Sequence, residues 1–555
     1  MREDPGPCRR PGEGAIPTLT RPSRDDRRAG RNGGGRAVEG VLFLTLIAAY
    51  AYFHQGGGWN QNSRFDQVRA IVEGGEISIN RFLAYERDAR SGATRRVSLP
   101  VPYPEARGTG RFNTLDLALS DGRFYPNKPP GTTWLAVPAY GLVRLAGRAL
   151  GADPDSSWAM SIALYLSTVF SVGLLGALGG VVFLRLSRRL FPRVGERSHV
   201  AAALSLGLAT MVLPYSTLLF DQVPVAVFLL AGFGILVGLR DGAFRRPAAW
   251  AFGAGLCLGL AVLSEYAAFL AVLPLLVYAA AAPRPARRIA WILAGGAPPA
   301  AALLAYQAAC FGGPLAIANT HGTSLFLEES GRLWLGMFGL PDPGILVRLL
   351  VSRYRGLFVS SPILLASLWG AWRAWADGRR RVEIAVVAAV FVAFLLMNAA
   401  FNGWHGGYCF GPRYLVPTVP FVALPLALAF ERGPRATACL ASVSAAIMLF
   451  ATAVTPMVPQ DVEHPFTGFL LPLAAGGVVD TPLLRYEGPV SANPMAVETE
   501  AASPEWSSFN LGELLRIPGW ISLLPLLLAL GAGVAVLRRL TRASPAGAGR
   551  GPLSS

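Results

Sequence analysis

Residues 132–150 read TTWLAVPAYGLVRLAGRAL, and whether this stretch crosses a membrane decides the topology of everything after it. It is apolar and long enough to count as a span, because about 20 residues cover about 30 Å of hydrocarbon. Its two arginines, Arg144 and Arg148, are one helical turn apart and share a face. Twelve other apolar runs surround it, at 38–53, 157–184, 198–216, 222–239, 248–264, 266–282, 289–311, 357–372, 382–400, 414–430, 436–455 and 519–537.

Arginine placement resolves the ambiguity. Connections 185–197, 240–246, 284–288, 373–381, 432–435 and 538–550 carry five, three, three, four, two and four arginines. The connections that alternate with them, around 214–221, 264–266 and 401–412, carry none. Short arginine-rich loops stay cytoplasmic. If 132–150 crossed, parity would place every later basic loop outside, so it is read as an outer interfacial or re-entrant helix with its arginines on the polar face. The prediction is an all-α polytopic membrane protein with about 12 transmembrane helices and both termini in the cytoplasm.

The composition agrees: 52% of the 555 residues are hydrophobic and 15% charged, against about 25% charged in soluble domains, and mean hydropathy is +0.42. The net charge of +16 does not indicate nucleic acid, because the arginines flank apolar runs as topology requires. Residues 1–37, with nine arginines among Gly and Pro, are expected to be a disordered cytoplasmic tail. Residues 38–540 form one membrane domain, and 541–555 a second cytoplasmic tail. Outer loops are expected at 54–156, 312–356 and 457–518, the first carrying interfacial helices. Long loops on a rigid scaffold are the usual place for chemistry. Cysteines show no metal spacing. Cys310 and Cys409 both fall near the outer face, where a disulfide competes with the preferred reading of two unrelated thiols.

Of 50 basic residues 49 are arginine; the exception is Lys128, in Tyr125-Pro126-Asn127-Lys128-Pro129-Pro130-Gly131. A chain that uses arginine for generic charge and lysine once suggests a site that needs a compact ammonium, although chance survival gives the same pattern. Two prolines fix the backbone there, and Gly131 permits a sharp entry into the next helix. Asp66, shortly after the first span, suits a general base near the membrane surface; a helix cap or a partner for Arg69 is the plainer role. Asp116 can position an acceptor, bind a cation or pair with an arginine. Asp121-Gly122 is a turn signal. In Asn402-Gly403-Trp404-His405-Gly406-Gly407-Tyr408-Cys409-Phe410-Gly411-Pro412-Arg413-Tyr414, the glycines let backbone approach a ligand or helix. Arg413 can grip a phosphate or snorkel to headgroups, and His405 is more often a hydrogen-bonded surface residue than a ligand. Tyr354-Arg355 opens the 357–372 run similarly. Glu265, in a tight outer hairpin, is a functional candidate or a helix-end carboxylate.

In order along the chain, Asp66, Asp121-Gly122-Arg123-Phe124-Tyr125, Lys128-Pro129-Pro130-Gly131, Tyr354-Arg355-Gly356-Leu357-Phe358 and Gly411-Pro412-Arg413-Tyr414 resemble the GT-C glycosyltransferases. The likeness is to the bacterial protein mannosyltransferase and aminoarabinose-transferase type and covers roughly residues 40–430. The resemblance implies a GT-C-like fold and an inverting transfer of a sugar from a polyprenyl-phosphate donor, on the outer face of the cytoplasmic membrane. It also implies Asp66 as base and Lys128 and Arg413, with Arg355, at the donor phosphate. Asp116, Tyr125, Glu265, Tyr354, His405 and Tyr414 are then acceptor-site or supporting residues. The absence of a large C-terminal domain like that of oligosaccharyltransferases argues for moving a single sugar. Expected partners are the lipid-phosphate donor, a glycan, lipid or protein acceptor, and membrane lipids, with no nucleic acid. No cofactor is implied, and no ligand spacing supports a metal. The rival readings are a transporter or flippase of a lipid-linked sugar, which would place its charges at mid-membrane, and a noncatalytic assembly factor.

Overall fold

The computed structural model describes residues 24–87, 94–102, 111–153, 156–281, 285–322, 333–475, 477–478 and 508–543. The chain is a multi-pass helical membrane protein. Seven helices are long and apolar enough to cross a bilayer: Trp158–Leu190, Gln222–Arg240, Pro247–Ser264, Pro285–Phe311, Arg381–Ala400, Pro434–Val454 and Gly519–Arg542. An eighth crossing exists if Arg413–Ala423 and Leu426–Arg432, bent by 51°, form one span.

The expected twelve therefore become seven or eight by length and composition. All twelve apolar runs fall in helical regions, but several are short or broken. Run 198–216 divides into Glu196–Leu208 and Val212–Tyr215. Run 357–372 breaks at Ser361-Pro362 into Leu357–Ser360 and Ile363–Asp377, because the residue before a proline is pushed out of the helical region. Run 266–282 yields the 13-residue helix Ala268–Ala280. The first helix, Arg24–Tyr50, begins well before its apolar portion, so residues 24–37 are helical where a disordered tail was expected. The rest of that tail, with Cys8, and residues 544–555 lie outside the described residues.

The deciding stretch forms helix Gly131–Ala149 and is not among the candidate spans. It buries Gly131, Thr132, Thr133, Ala136, Ala139 and Tyr140, while Leu142 and Leu145 are exposed. Arg148 is exposed, as a polar face requires. Arg144 is not at a water-facing edge: it pairs with Glu73 at 3.1 Å. Glu73 also receives Arg69 Nε at 2.9 Å and Tyr140 O–H at 2.6 Å. Burial works to raise the Glu73 pKa, but Arg69, Tyr140 and Arg144 together outweigh it and hold the carboxyl below its ordinary range. Arg69 thus finds its carboxylate four residues on, not at Asp66.

The first loop carries β-structure as well as helices, which corrects the purely helical expectation. Ala84–Arg87 pairs with Thr94–Val97 and Arg111–Phe112. Leu117–Ser120 and Arg123–Pro126 form a hairpin, whose two connecting residues, Asp121 (φ 49°) and Gly122 (φ 70°), make the turn their sequence signals. Phe53–His54 pairs with Phe509–Asn510, tying the first loop to the segment before the last helix.

Between membrane helices, close approach replaces hydrophobic driving force. A Cβ on Gly255 would lie 1.8 Å from the Ile292 carbonyl oxygen, and one on Gly295 1.9 Å from that of Phe252. Helices Pro247–Ser264 and Pro285–Phe311 therefore pack backbone to backbone. Cys310 and Cys409 are buried, free thiols, as the preferred reading held.

Candidate active site

Helix Trp59–Arg69 is polar in sequence, WNQNSRFDQVR, yet every residue from Asn60 to Arg69 is buried. Buried polar groups must find partners, and here the partners are other parts of one site. Arg64 Nη2 meets Asp221 Oδ2 at 2.6 Å, and Arg64 Nε donates to Asn60 Oδ1 at 3.0 Å. Gln61 Oε1 accepts from the Leu219 N–H at 2.9 Å. Asn62 Nδ2 donates to the Asn113 carbonyl at 2.7 Å, and Asn113 Nδ2 donates to Asp66 Oδ1 at 3.2 Å. Thr114 Oγ1 donates to the Trp59 carbonyl at 2.7 Å and accepts the Asp116 N–H at 3.1 Å. The helix thus fixes the strand entrance at Asn113–Asp116 and the segment ahead of helix Gln222–Arg240.

A cavity of about 330 Å³ lies against this framework. Trp59 and Asn60 line it from the polar helix, Asp116 from the hairpin entrance, and Asn127 and Lys128 from the hairpin exit. Phe220, Asn319, Met337, Met457 and Gln460 contribute from later segments, and the glycine-rich loop supplies Phe401, Asn402, Gly403, His405, Gly406, Gly407, Tyr408, Arg413 and Tyr414. Lys128, Arg413, Asp116, His405 and Tyr414 are thereby brought to the wall of one cavity. Asp116 is the only carboxylate among the described residues lining the cavity, which it shares with Lys128 and Arg413.

Local structure explains these placements. Gly131 follows Lys128-Pro129-Pro130, and a Cβ there would lie 2.6 Å from Ser264 Oγ and 2.7 Å from the Leu263 carbonyl oxygen. Its role is close approach to the end of helix Pro247–Ser264 rather than an unusual turn, and it seats the lysine loop. Gly406, Gly407 and Gly411 have φ of 77°, 66° and 68°, values that favour glycine, and they fold their loop around Arg413. The Arg413 guanidinium lies 4.8 Å from the Tyr414 ring and 5.7 Å from that of Phe220. Its Nη2 donates to Tyr414 OH at 2.9 Å. Arg413 Nε, Asn127 Oδ1, Trp59 Nε1 and Tyr408 OH are buried with no hydrogen-bond partner among the described residues, so polar capacity is left over at the cavity wall. Burial, then Arg355 and Arg413, lower the His405 pKa to about 4. Neutral His405 accepts the Gly407 N–H at Nδ1, 3.0 Å away, which leaves Nε2 as a donor.

Five expected site residues lie elsewhere, Glu265 among them. Asp66 is fully buried and does not line the cavity; it orients Asn113, which immediately precedes Thr114. Arg355 is also fully buried. Its Nη1 donates to the Cys409 carbonyl and its Nη2 to that of Gly407 at 2.9 Å, so it braces the glycine loop from behind. Tyr354 donates to the Gln460 carbonyl and supports that segment. Tyr125 packs with Tyr306, Cys310 and Phe311.

Glu265 is half-buried behind the wall, within hydrogen-bonding reach of Asp221 and close to Lys128 and Arg64. Burial and the Asp221 charge push it up to about 8, with Lys128 and Arg64 acting against them. A neutral Glu265 can donate to Asp221, whose Oδ1 otherwise has no partner among the described residues. Sequence reasoning missed the Arg64–Asp221 pair; the signal was a polar run, 60–64, beside a membrane span. Thr323, Glu328 and Glu329 of the 312–356 loop lie outside the described residues. Among the described residues no group of three or more His, Cys, Asp or Glu could hold a metal.

No protein-family model and no curated protein matches this sequence. Among solved structures, the chain is similar to ArnT from Cupriavidus metallidurans bound to undecaprenyl phosphate. The TM-score is 0.47 and the identity 15%, over 93% of this chain and 79% of that one. For ArnT in the apo state the values are 0.45 and 15%, over 80% and 72%. The archaeal oligosaccharyltransferase AglB from Archaeoglobus fulgidus, in complex with an inhibitory peptide and a dolichol-phosphate, gives 0.43 and 12%, over 75% and 54%. This chain therefore spans about half of AglB.

Proposed function

We propose that the protein is a GT-C-type membrane glycosyltransferase, moving a single sugar from a polyprenyl-phosphate donor to an acceptor hydroxyl at the outer membrane surface. The observation that carries this reading is one carboxylate, Asp116, sharing one cavity with Lys128 and Arg413. A sugar phosphodiester carries one negative charge and gains a second as it leaves. Two fixed cations stabilise that developing charge. The acceptor oxygen attacks the anomeric carbon, the bond from that carbon to the phosphate oxygen breaks, and its electron pair leaves with the lipid phosphate. Asp116 takes the acceptor proton. A single displacement of this kind inverts the anomeric centre. The aromatic faces of Trp59, Phe220, Tyr408 and Tyr414 suit a sugar ring. The cavity is at the small end of the range of about 300–1,000 Å³ for small-molecule sites, which favours one sugar over an oligosaccharide.

The test is incubation of membranes with labelled polyprenyl-phosphate sugars, following label into glycan, lipid and protein fractions. Label joined to an acceptor with release of lipid phosphate is the expected result. The transporter reading draws on one observation, the 51° bend between Arg413–Ala423 and Leu426–Arg432, since transporters break helices near the midplane. Label that changes leaflet with its phosphate bond intact would replace the transferase reading with that one.

Glu265 gives a pH prediction. Below about pH 8 it is neutral and leaves the Lys128 charge uncompensated for a phosphate; above that value it ionises and competes. The donor KM is therefore expected to rise about tenfold between pH 7.5 and 9, and Glu265→Gln to flatten that alkaline limb. The same shift sets a stability effect. A carboxyl raised in the folded state costs stability as pH climbs from its unfolded value to about 8, so Glu265→Gln should also raise the thermal midpoint at pH 8. An unchanged alkaline limb in the variant would remove Glu265 from this role.

A further inference from the structure

A second recess, of about 930 Å³, lies at the far end of the same helices. Helix Gln222–Arg240 begins one residue after Asp221, beside the cavity, and ends at Arg240 in the recess wall. Its 19 residues separate the two sites by about 28 Å, roughly one hydrocarbon thickness. Arg240, Arg246, Arg287 and Arg288 line the recess together with Phe252 and Trp291, and among the described residues no acidic one does.

The charge there is uncompensated. None of the four arginines forms an ion pair among the described residues, and Arg240 Nη1 is buried with no acceptor. Nearby acids are engaged elsewhere: Asp241 and Glu383 bind Arg380 at 3.0 and 3.4 Å, and Glu383 also receives Tyr278 O–H at 2.9 Å. Two arginines at another helix end do find acids, Arg185 and Arg188 pairing with Glu39 at 2.6 and 2.8 Å. What distinguishes the recess is that four arginines share one concavity of about 930 Å³, one of them with a buried nitrogen unpartnered among the described residues.

Its other wall faces lipid. Phe252 and Trp291 are exposed, as is Trp250, which stacks on Phe244 at 4.2 Å; tryptophans at this depth mark the headgroup boundary. A soluble anion would use the arginines and leave the apolar wall unused. A lipid uses both. We propose that this recess binds the phosphate headgroup of an anionic membrane lipid in the leaflet opposite the candidate active site, its acyl chains running along Phe252 and Trp291. Arginine forks suit phosphate oxygens.

Native mass spectrometry of the full-length protein in detergent tests this, with phosphatidylglycerol and phosphatidylcholine as probes. Wild type is expected to retain phosphatidylglycerol about tenfold better than phosphatidylcholine. Arg246→Gln with Arg287→Gln should weaken that retention about 25-fold, at about fivefold per basic residue, and Arg246→Lys with Arg287→Lys should keep most of it. The control pair Arg538→Gln and Arg539→Gln, exposed on the last helix and outside the recess, should bind as wild type. Equal loss in the control pair would reduce the effect to bulk charge and overturn the proposal. Undiminished binding by the glutamine pair, or displacement of the lipid by millimolar inorganic phosphate, would overturn it too.

Discussion

Lys128→Ala is expected to lower donor turnover by about 10²–10³-fold in membranes carrying equal amounts of protein, the usual loss for one donor aimed at developing charge. The residue is half-buried in the cavity wall, which it shares with Arg413, and its loop has little freedom. Pro129 and Pro130 stiffen it, and Gly131 is pressed against Leu263 and Ser264 with no room for a Cβ. Lys128→Arg separates charge from shape. The longer planar fork must enter a space set by Glu265 and Asp221 behind and the cavity in front, so a loss of about tenfold is expected even though the charge is kept. Labelled-donor turnover, with kcat and KM resolved, is the measurement. Arginine restoring full activity would leave the lone lysine without a specific role.

Some of this was legible in the sequence because it depends on local rules. Arginine-poor and arginine-rich connections alternate in the sequence, and helix Gly131–Ala149 is not among the helices long and apolar enough to count as spans. Asp121-Gly122 names its own turn. Lys128, Asp116, His405, Arg413 and Tyr414 converge because each sits in an irregular segment that a scaffold must hold for some reason. Other features depend on long-range partners and leave no periodic trace. The burial of helix Trp59–Arg69 is stabilised by Arg64 with Asp221, 157 positions away, and a polar helix beside a membrane reads as a surface helix until that partner is known. Arg355 and Arg413 have similar local contexts, yet one guanidinium turns into loop carbonyls and the other into the cavity. The twelve apolar runs correspond to only seven or eight helices that pass on length and composition among the described residues, because apolar length does not reveal a break such as Ser361-Pro362.

Asp116→Asn is expected to abolish transfer, by about 10³-fold or more, while donor binding survives. General-base catalysis contributes about 10²–10⁴-fold, and no other carboxylate among the described residues lines the cavity to replace it. His405 is a poor substitute, since its Nδ1 already accepts the Gly407 N–H and its Nε2 is a donor. Asn retains the shape of Asp116 and loses only the proton acceptor, so kcat should fall with little change in donor affinity. The informative contrast is Asp66→Asn. Asp66 reaches the site through Asn113, and its neighbour Thr114 holds the Asp116 N–H. As a positioning residue it should lower kcat by about tenfold, and leave a measurable pH profile of the residual activity unchanged in shape. If Asp66→Asn were dead and Asp116→Asn active, the base would be Asp66, and the cavity would have to open toward the polar helix when donor binds. Running both variants under one assay therefore decides which carboxylate takes the proton.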